Sequence, residues 1–121
     1  MVYYRAKEIA LNNGEPYHIA CVLKRGRHIV RIGTNSKKTH PKFGRYFKNG
    51  PKEVHTLHAE MDVLRFAEPG DDLIVMRFKA NGSLSMARPC KHCQKHIKEA
   101  GIRRVHFSDW SGDLVRFNFE E

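Results

Sequence analysis

The amino-acid sequence predicts an α/β domain, a three-layer α/β/α sandwich around a five-stranded mixed sheet whose last two strands run antiparallel. Three observations carry this expectation. Segments of helical and strand character succeed one another as helix, strand, strand, helix, strand, helix, strand, strand. The stretch 73–78 is apolar almost throughout, as in a strand covered on both faces. Only five residues, 109–113, separate the final two strands. A parallel crossover needs about a dozen residues or more, so that pair must close as a hairpin.

The elements follow in order. Residues 3–12 are helix formers with Ala6, Ile9 and Ala10 toward one side, and Asn13-Gly14 ends them. Residues 19–23 and 29–33 read as strands joined by the basic turn 24–27. Residues 36–56 are long, polar and rich in Gly and Pro, which reads as a functional or mobile loop. Residues 58–66 read as a helix that Pro69-Gly70 closes, and 73–78 as a buried strand. A second loop spans 79–88. Pro89 suits the first turn of a helix that Gly101 caps. Residues 103–107 and 114–119 supply the last strands. All 121 residues are expected to form one catalytic domain.

Composition narrows the partners. A formal charge of +9 favours anionic ligands such as nucleotides, nucleic acid or an acidic membrane surface. No apolar run approaches the ~18 residues of a membrane span, and the basic start lacks a signal-peptide apolar region, so a cytoplasmic location and no membrane partner are expected. Three cysteines are an odd number, which argues against a disulfide framework. In a reducing compartment the close pair Cys90 and Cys93 reads as a metal site or a redox motif, whereas Cys21, flanked by apolar residues, reads as a core side chain.

Two short motifs bear chemistry: His58-Ala59-Glu60 and Pro89-Cys90-Lys91-His92-Cys93. Each opens a predicted helix. Cys90 and Cys93 at i and i+3 can share one face, and a helix start favours thiolate over thiol. Two thiolates and an imidazole suit zinc, and three protein ligands leave a fourth position open, as in a catalytic site. A zinc ribbon would need a second cysteine pair, which the chain lacks, and a redox pair leaves His58 and Glu60 unexplained. Glu60 lies two residues from His58, so both reach one ligand only at a helix terminus facing a pocket. His92, between the cysteines, is expected at the surface.

His-x-Glu followed by Pro-Cys-x-x-Cys resembles the signature of the cytidine deaminase superfamily, over most of the chain from about residue 17 onward. The segment 89–94 with 101–105 is similar to the deoxycytidylate deaminase type. The closing hairpin looks instead like the division holding free-nucleoside and polymorphic-toxin deaminases. The resemblance implies a cytidine deaminase-like sandwich with one catalytic zinc ion on His58, Cys90 and Cys93. It implies Glu60 as the proton-transferring residue in hydrolytic conversion of cytosine to uracil, with Asn35 and Ala59 at the substrate. Free-nucleoside members of this family are usually oligomers, so a homo-oligomer stands among the expected assemblies.

The loop 36–56 carries six cations against the single acid Glu53, with Phe43, Tyr46 and Phe47 interleaved. Lys37, Lys38, Lys42, Phe43, Arg45, Tyr46 and Phe47, with Trp110 in the closing turn, are therefore candidate contacts to single-stranded nucleic acid, by phosphate neutralisation and base stacking. The alternative is a solvated loop whose aromatics pack onto the core, with Trp110 capping a core edge. Three function classes follow: a deaminase of cytosine in single-stranded DNA or RNA, which the charge favours; a deaminase of free cytosine nucleosides or nucleotides; and a non-catalytic nucleic-acid-binding zinc module.

Overall fold

The computed structural model describes residues 2–37, 45–49, 52–56 and 58–117, the two middle segments as backbone strands. The elements are α1 (Val2–Leu11), β1 (His18–Arg25), β2 (His28–Thr34), β3 (Arg45–Asn49), β4 (Lys52–Thr56), α2 (Ala59–Leu64), β5 (Asp72–Phe78), β6 (Leu84–Ser85), α3 (Lys91–Glu99), β7 (Arg104–Ser108) and β8 (Leu114–Phe117). The main sheet runs β2-β1-β5-β7-β8, with β6 paired to β5. β5 and β7 are parallel and the other pairs antiparallel, so the sheet is mixed and its last two strands form the expected hairpin.

Three expectations are corrected. The sheet has six strands rather than five, because β6 folds back on the end of β5 through a turn in which Lys79 N–H donates to the Ser83 carbonyl at 2.8 Å. A two-residue strand is too short to leave a period in the sequence. The segment 36–56 is not all loop: β3 and β4 pair as a separate antiparallel hairpin, with Phe47 opposite Val54. Its charged residues hid the strand alternation. Pro89 lies outside α3, which begins only after Cys90 as N-cap.

Alternation along the strands divides the core. Ala20 and Val22 of β1, with Met76 and Phe78 of β5, pack with Ala6 and Ala10 of α1. Cys21 and Leu23, with Leu73 and Val75, pack with Met61 and Val63 of α2 and Cys93 and Ile97 of α3. β5 is apolar from Leu73 to Met76 because both of its faces are covered there, and its charged residues Asp72 and Arg77 lie toward its ends. Cys21 is fully buried, as expected of a core side chain. α1 packs on β1, β2 and β5, whereas α2 lies on β1 and β2 and touches α3.

α3 ends as the sequence indicates. Gly101 takes φ 76°, a left-handed conformation open to glycine, and its carbonyl accepts from Gly70 N–H at 2.9 Å. The turn after β7 is wound around Asp109, whose carboxylate accepts from the Ser111 and Asp113 N–H groups at 2.9 and 3.0 Å.

Candidate zinc centre

The two motifs meet because both helices begin in the same way. His58 is the N-cap of α2 (φ −69°, ψ 153°) and Cys90 the N-cap of α3 (φ −71°, ψ 167°), each in extended backbone. The His58 carbonyl accepts from Asp62 N–H at 3.0 Å, and the Cys90 carbonyl from Gln94 N–H at 2.8 Å. Neither side chain caps its helix. The two N-cap positions instead turn an imidazole and a sulfur toward one point. Cys93, in the first turn of α3, is fully buried and supplies the third donor.

The donor atoms of His58, Cys90 and Cys93 all lie within 4.8 Å of one another. His58 Nδ1 is 3.2 Å from Cys93 Sγ and 3.7 Å from Cys90 Sγ. Tetrahedral zinc with Zn–N and Zn–S bonds of about 2.0 and 2.3 Å sets N and S about 3.5 Å apart, and the two spacings bracket that value. The cluster therefore fits one zinc ion. The Cys90 thiol is pulled down to about 3, chiefly by a hydrogen bond from Cys93 and by His58, against the effect of burial; Cys93, which keeps the shared proton and is itself buried, is pushed up. Such a pair presents one ready thiolate to a metal.

Glu60 is 5 % exposed in the second position of α2. Because His58 lies outside the helix in extended backbone, the two side chains escape the mid-helix divergence of an i, i+2 pair and line the same cavity. Burial pushes the Glu60 carboxyl up, while a backbone hydrogen bond, His58 and Cys93 pull the other way. Ala59 is fully buried at the start of α2.

The cavity holds about 460 Å³. His58, Glu60 and Cys90 line it on one side, and Ile19, Val75, Met86 and Ala87 give it apolar walls. Asn35 and Lys37 also line it. Asn35 is heavily engaged: its Oδ1 accepts from Ile19 N–H at 3.0 Å and Asn13 Nδ2 at 2.9 Å, and its Nδ2 donates to the Tyr17 carbonyl at 3.1 Å. Those bonds use both oxygen lone pairs and one of two N–H groups, so Asn35 clamps the start of β1 to the end of β2. Lys37 is ion-paired with Glu15 at 3.7 Å.

Of the remaining candidate contacts, Lys38, Lys42 and Phe43 lie outside the described residues, as do the side chains of Arg45, Tyr46 and Phe47 on β3. Trp110 is 74 % exposed and does not cap the core. It stands two residues beyond Ser108, whose hydroxyl accepts from Arg77 N–H at 3.2 Å and whose carbonyl accepts from Ala87 N–H at 2.8 Å, both on the cavity wall. His92 is half-buried rather than exposed, its ring edge-on to His96 one turn along α3 at 4.7 Å. Sequence reasoning missed Tyr17, Arg77 and Arg88 of the cavity. The position of Arg88, directly before Pro89-Cys90, was its only signal; Arg77 was absorbed into an apolar strand.

A mixed-sheet α/β protein with a His/Cys/Cys cluster at two helix starts and a buried carboxyl in the same cavity belongs to the class of zinc-binding α/β domains. The family model for the cytidine and deoxycytidylate deaminase zinc-binding region matches residues 2–109, and the chain belongs to that family. Comparison with curated proteins and with solved structures returned no match. Among the described residues no helix is long and apolar enough to cross a membrane.

Proposed function

We propose that this chain is a zinc-dependent hydrolytic deaminase that converts cytosine to uracil, built as one catalytic domain with helices layered on both faces of the sheet. The observation that carries the reading is the buried Glu60 lining the same cavity as His58 and Cys90. A purely structural zinc site gains nothing from a carboxyl group beside it. A zinc ion held by His58, Cys90 and Cys93 would bring the pKa of a water toward about 7. Glu60 then accepts the proton of the water that adds to C4 and delivers it to the ring nitrogen. Glu60 next moves the proton of the new hydroxyl to the amine, the C4–N bond breaks and ammonia leaves. Ile19, Val75 and Met86 supply apolar walls for the base, whereas Ala59 is fully buried and is not among the residues lining the cavity. Asn35 holds β1 in place and retains one amide N–H for the substrate.

The net charge of +9 and the exposed Trp110 beyond the cavity wall favour cytosine in single-stranded DNA or RNA. The second reading is a free nucleotide or nucleoside, favoured by a cavity of a size usual for a single small ligand. The test is mass spectrometry of zinc-loaded protein incubated with cytidine, deoxycytidine, their monophosphates and single-stranded oligomers. Deamination adds about one mass unit to the substrate. Glu60→Ala should lower turnover by at least about 10²–10⁴-fold while one zinc per chain stays bound. Unchanged turnover in that variant refutes the assignment.

A further inference from the structure

Five arginines of the described residues are each paired with a carboxylate. Arg25 binds Asp71 at 2.9 Å; Arg31 and Arg65 bind Asp62 at 3.2 and 2.8 Å; Arg103 and Arg104 bind Asp72 at 3.0 and 3.5 Å. The two arginines that line the cavity differ. Among the described residues neither Arg77 nor Arg88 lies within ion-pair distance of a carboxylate, and each is instead held against a ring. The Arg77 guanidinium sits 5.0 Å from the Tyr17 ring centroid and that of Arg88 5.3 Å from Phe117. Stacking fixes the plane of a guanidinium and leaves its in-plane N–H donors unspent.

Their placement is dictated by the sheet. Along β5 the odd-numbered positions Leu73 and Val75 face α2 and α3, so Arg77 continues that face past the end of the core. It lies in register with Ile19 of β1 on one side and Ser85 of β6 on the other. Arg88 lies two residues before Cys90 and lines the same cavity. The candidate ligands His58 and Cys90 and the carboxyl of Glu60 thus share one cavity with two ring-held guanidinium groups that make no ion pair among the described residues, and Glu15, which also lines the cavity, is paired with Lys37.

We infer that Arg77 and Arg88 bind a phosphate of the substrate, so that the base is deaminated as part of a nucleotide and not as a neutral nucleoside. This rests on the deaminase reading above. Planar guanidinium forks match phosphate oxygens in paired, charge-assisted hydrogen bonds. The phosphate can come from a free monophosphate or from a strand, and the assay separates the two.

The experiment measures kcat/KM of the zinc-loaded protein for cytidine, cytidine 5′-monophosphate, their deoxy forms and single-stranded oligomers. The phosphorylated substrates should be favoured by about tenfold or more, with the difference in KM. In Arg77→Ala and Arg88→Ala the ratio of monophosphate to nucleoside kcat/KM should fall about tenfold, and Arg88→Lys should restore only part of it, because an ammonium lacks the fork. Inorganic phosphate should inhibit wild-type protein competitively against the monophosphate, a measurement that needs no variant. Oligomer turnover falling steeply with salt marks a strand as the source; a preference for the monophosphate with a shallow salt response marks a free nucleotide. Equal turnover of cytidine and its monophosphate, with no inhibition by phosphate, overturns this inference and leaves the deaminase reading standing. No turnover of any cytosine compound overturns that reading instead.

Discussion

Gly33→Ala tests how the sheet sets the position of the zinc centre. Gly33 lies on β2 beneath α2, and its φ is not in the left-handed region, so alanine is acceptable to the backbone and the effect is steric. A Cβ there would stand 2.6 Å from Asp62 Oδ2, 2.8 Å from Val63 Cγ1 and 3.1 Å from Asp62 Cβ. Carbon contacts settle at about 3.5–4.0 Å, so relief needs a movement of about 1 Å. Asp62 resists swinging away because Arg31 and Arg65 both hold its carboxylate, at 3.2 and 2.8 Å. Val63 is fully buried and resists as well. The remaining response is for α2 to lift from the sheet. Overpacking of this kind costs about 1–3 kcal/mol, partly offset by the lower chain entropy of alanine in the unfolded state, about 0.4–1 kcal/mol. A net loss of about 1–2 kcal/mol should appear in urea unfolding. The lift also carries His58 and Glu60, and a displacement of about 1 Å can reduce catalysis about 10²-fold. In a Val63→Ala background the same change should be less damaging than in wild type, since one of the contacts is gone. Unfolding within about 0.3 kcal/mol of wild type, with unchanged turnover, would refute the reasoning.

Four further outcomes are expected. Chelating zinc from loaded protein should lower the thermal midpoint, because the ion would tie the start of α2 to that of α3 and stabilises in proportion to RT ln(1 + [Zn]/Kd); an unchanged midpoint in calorimetry would separate the cluster from the fold. Burial tends to raise the Asp71 carboxyl, but the bidentate Arg25 at 2.9 and 3.0 Å and the Glu68 N–H prevail and hold it below its usual value. A depressed carboxylate contributes stability above its unfolded pKa of about 3.9 and loses it as pH falls through the lower folded value; Asp71→Asn should therefore cost about 1–3 kcal/mol at neutral pH and flatten the acid limb of a pH–stability curve. Asn35→Ala removes the acceptor of Ile19 N–H and should destabilise by about 1–3 kcal/mol in urea unfolding, which a residue serving substrate alone would not do. Trp110→Ala should weaken single-stranded oligomer binding about ten- to a hundredfold by fluorescence anisotropy, the loss of one stacked base; unaltered affinity would remove this turn from the nucleic-acid reading.

The sequence by itself determined what depends on residue type and short spacing. His58, Cys90 and Cys93 were legible as one zinc site because thiolate and imidazole chemistry at helix starts has few other uses, and the 109–113 link was legible as a hairpin because five residues cannot carry a crossover. The apolar run of β5 announced a strand covered on both faces for the same kind of local reason. Only the tertiary structure decided the rest. The i, i+2 pair of His58 and Glu60 shares a cavity because His58 stays extended as an N-cap, a backbone angle that spacing does not encode. Asn35 turned out to spend most of its amide on the chain at 13–19, partners brought near only by the pairing of β1 with β2. Arg77 and Arg88 are ordinary cations in the sequence; what distinguishes them is that each is held against a ring on the cavity wall with no carboxylate within ion-pair distance among the described residues, and those ring contacts join residues 29 to 60 positions apart. Local chemistry is written in neighbouring letters, whereas charge pairing and enclosure arise from distant segments meeting, and those only the folded chain can bring together.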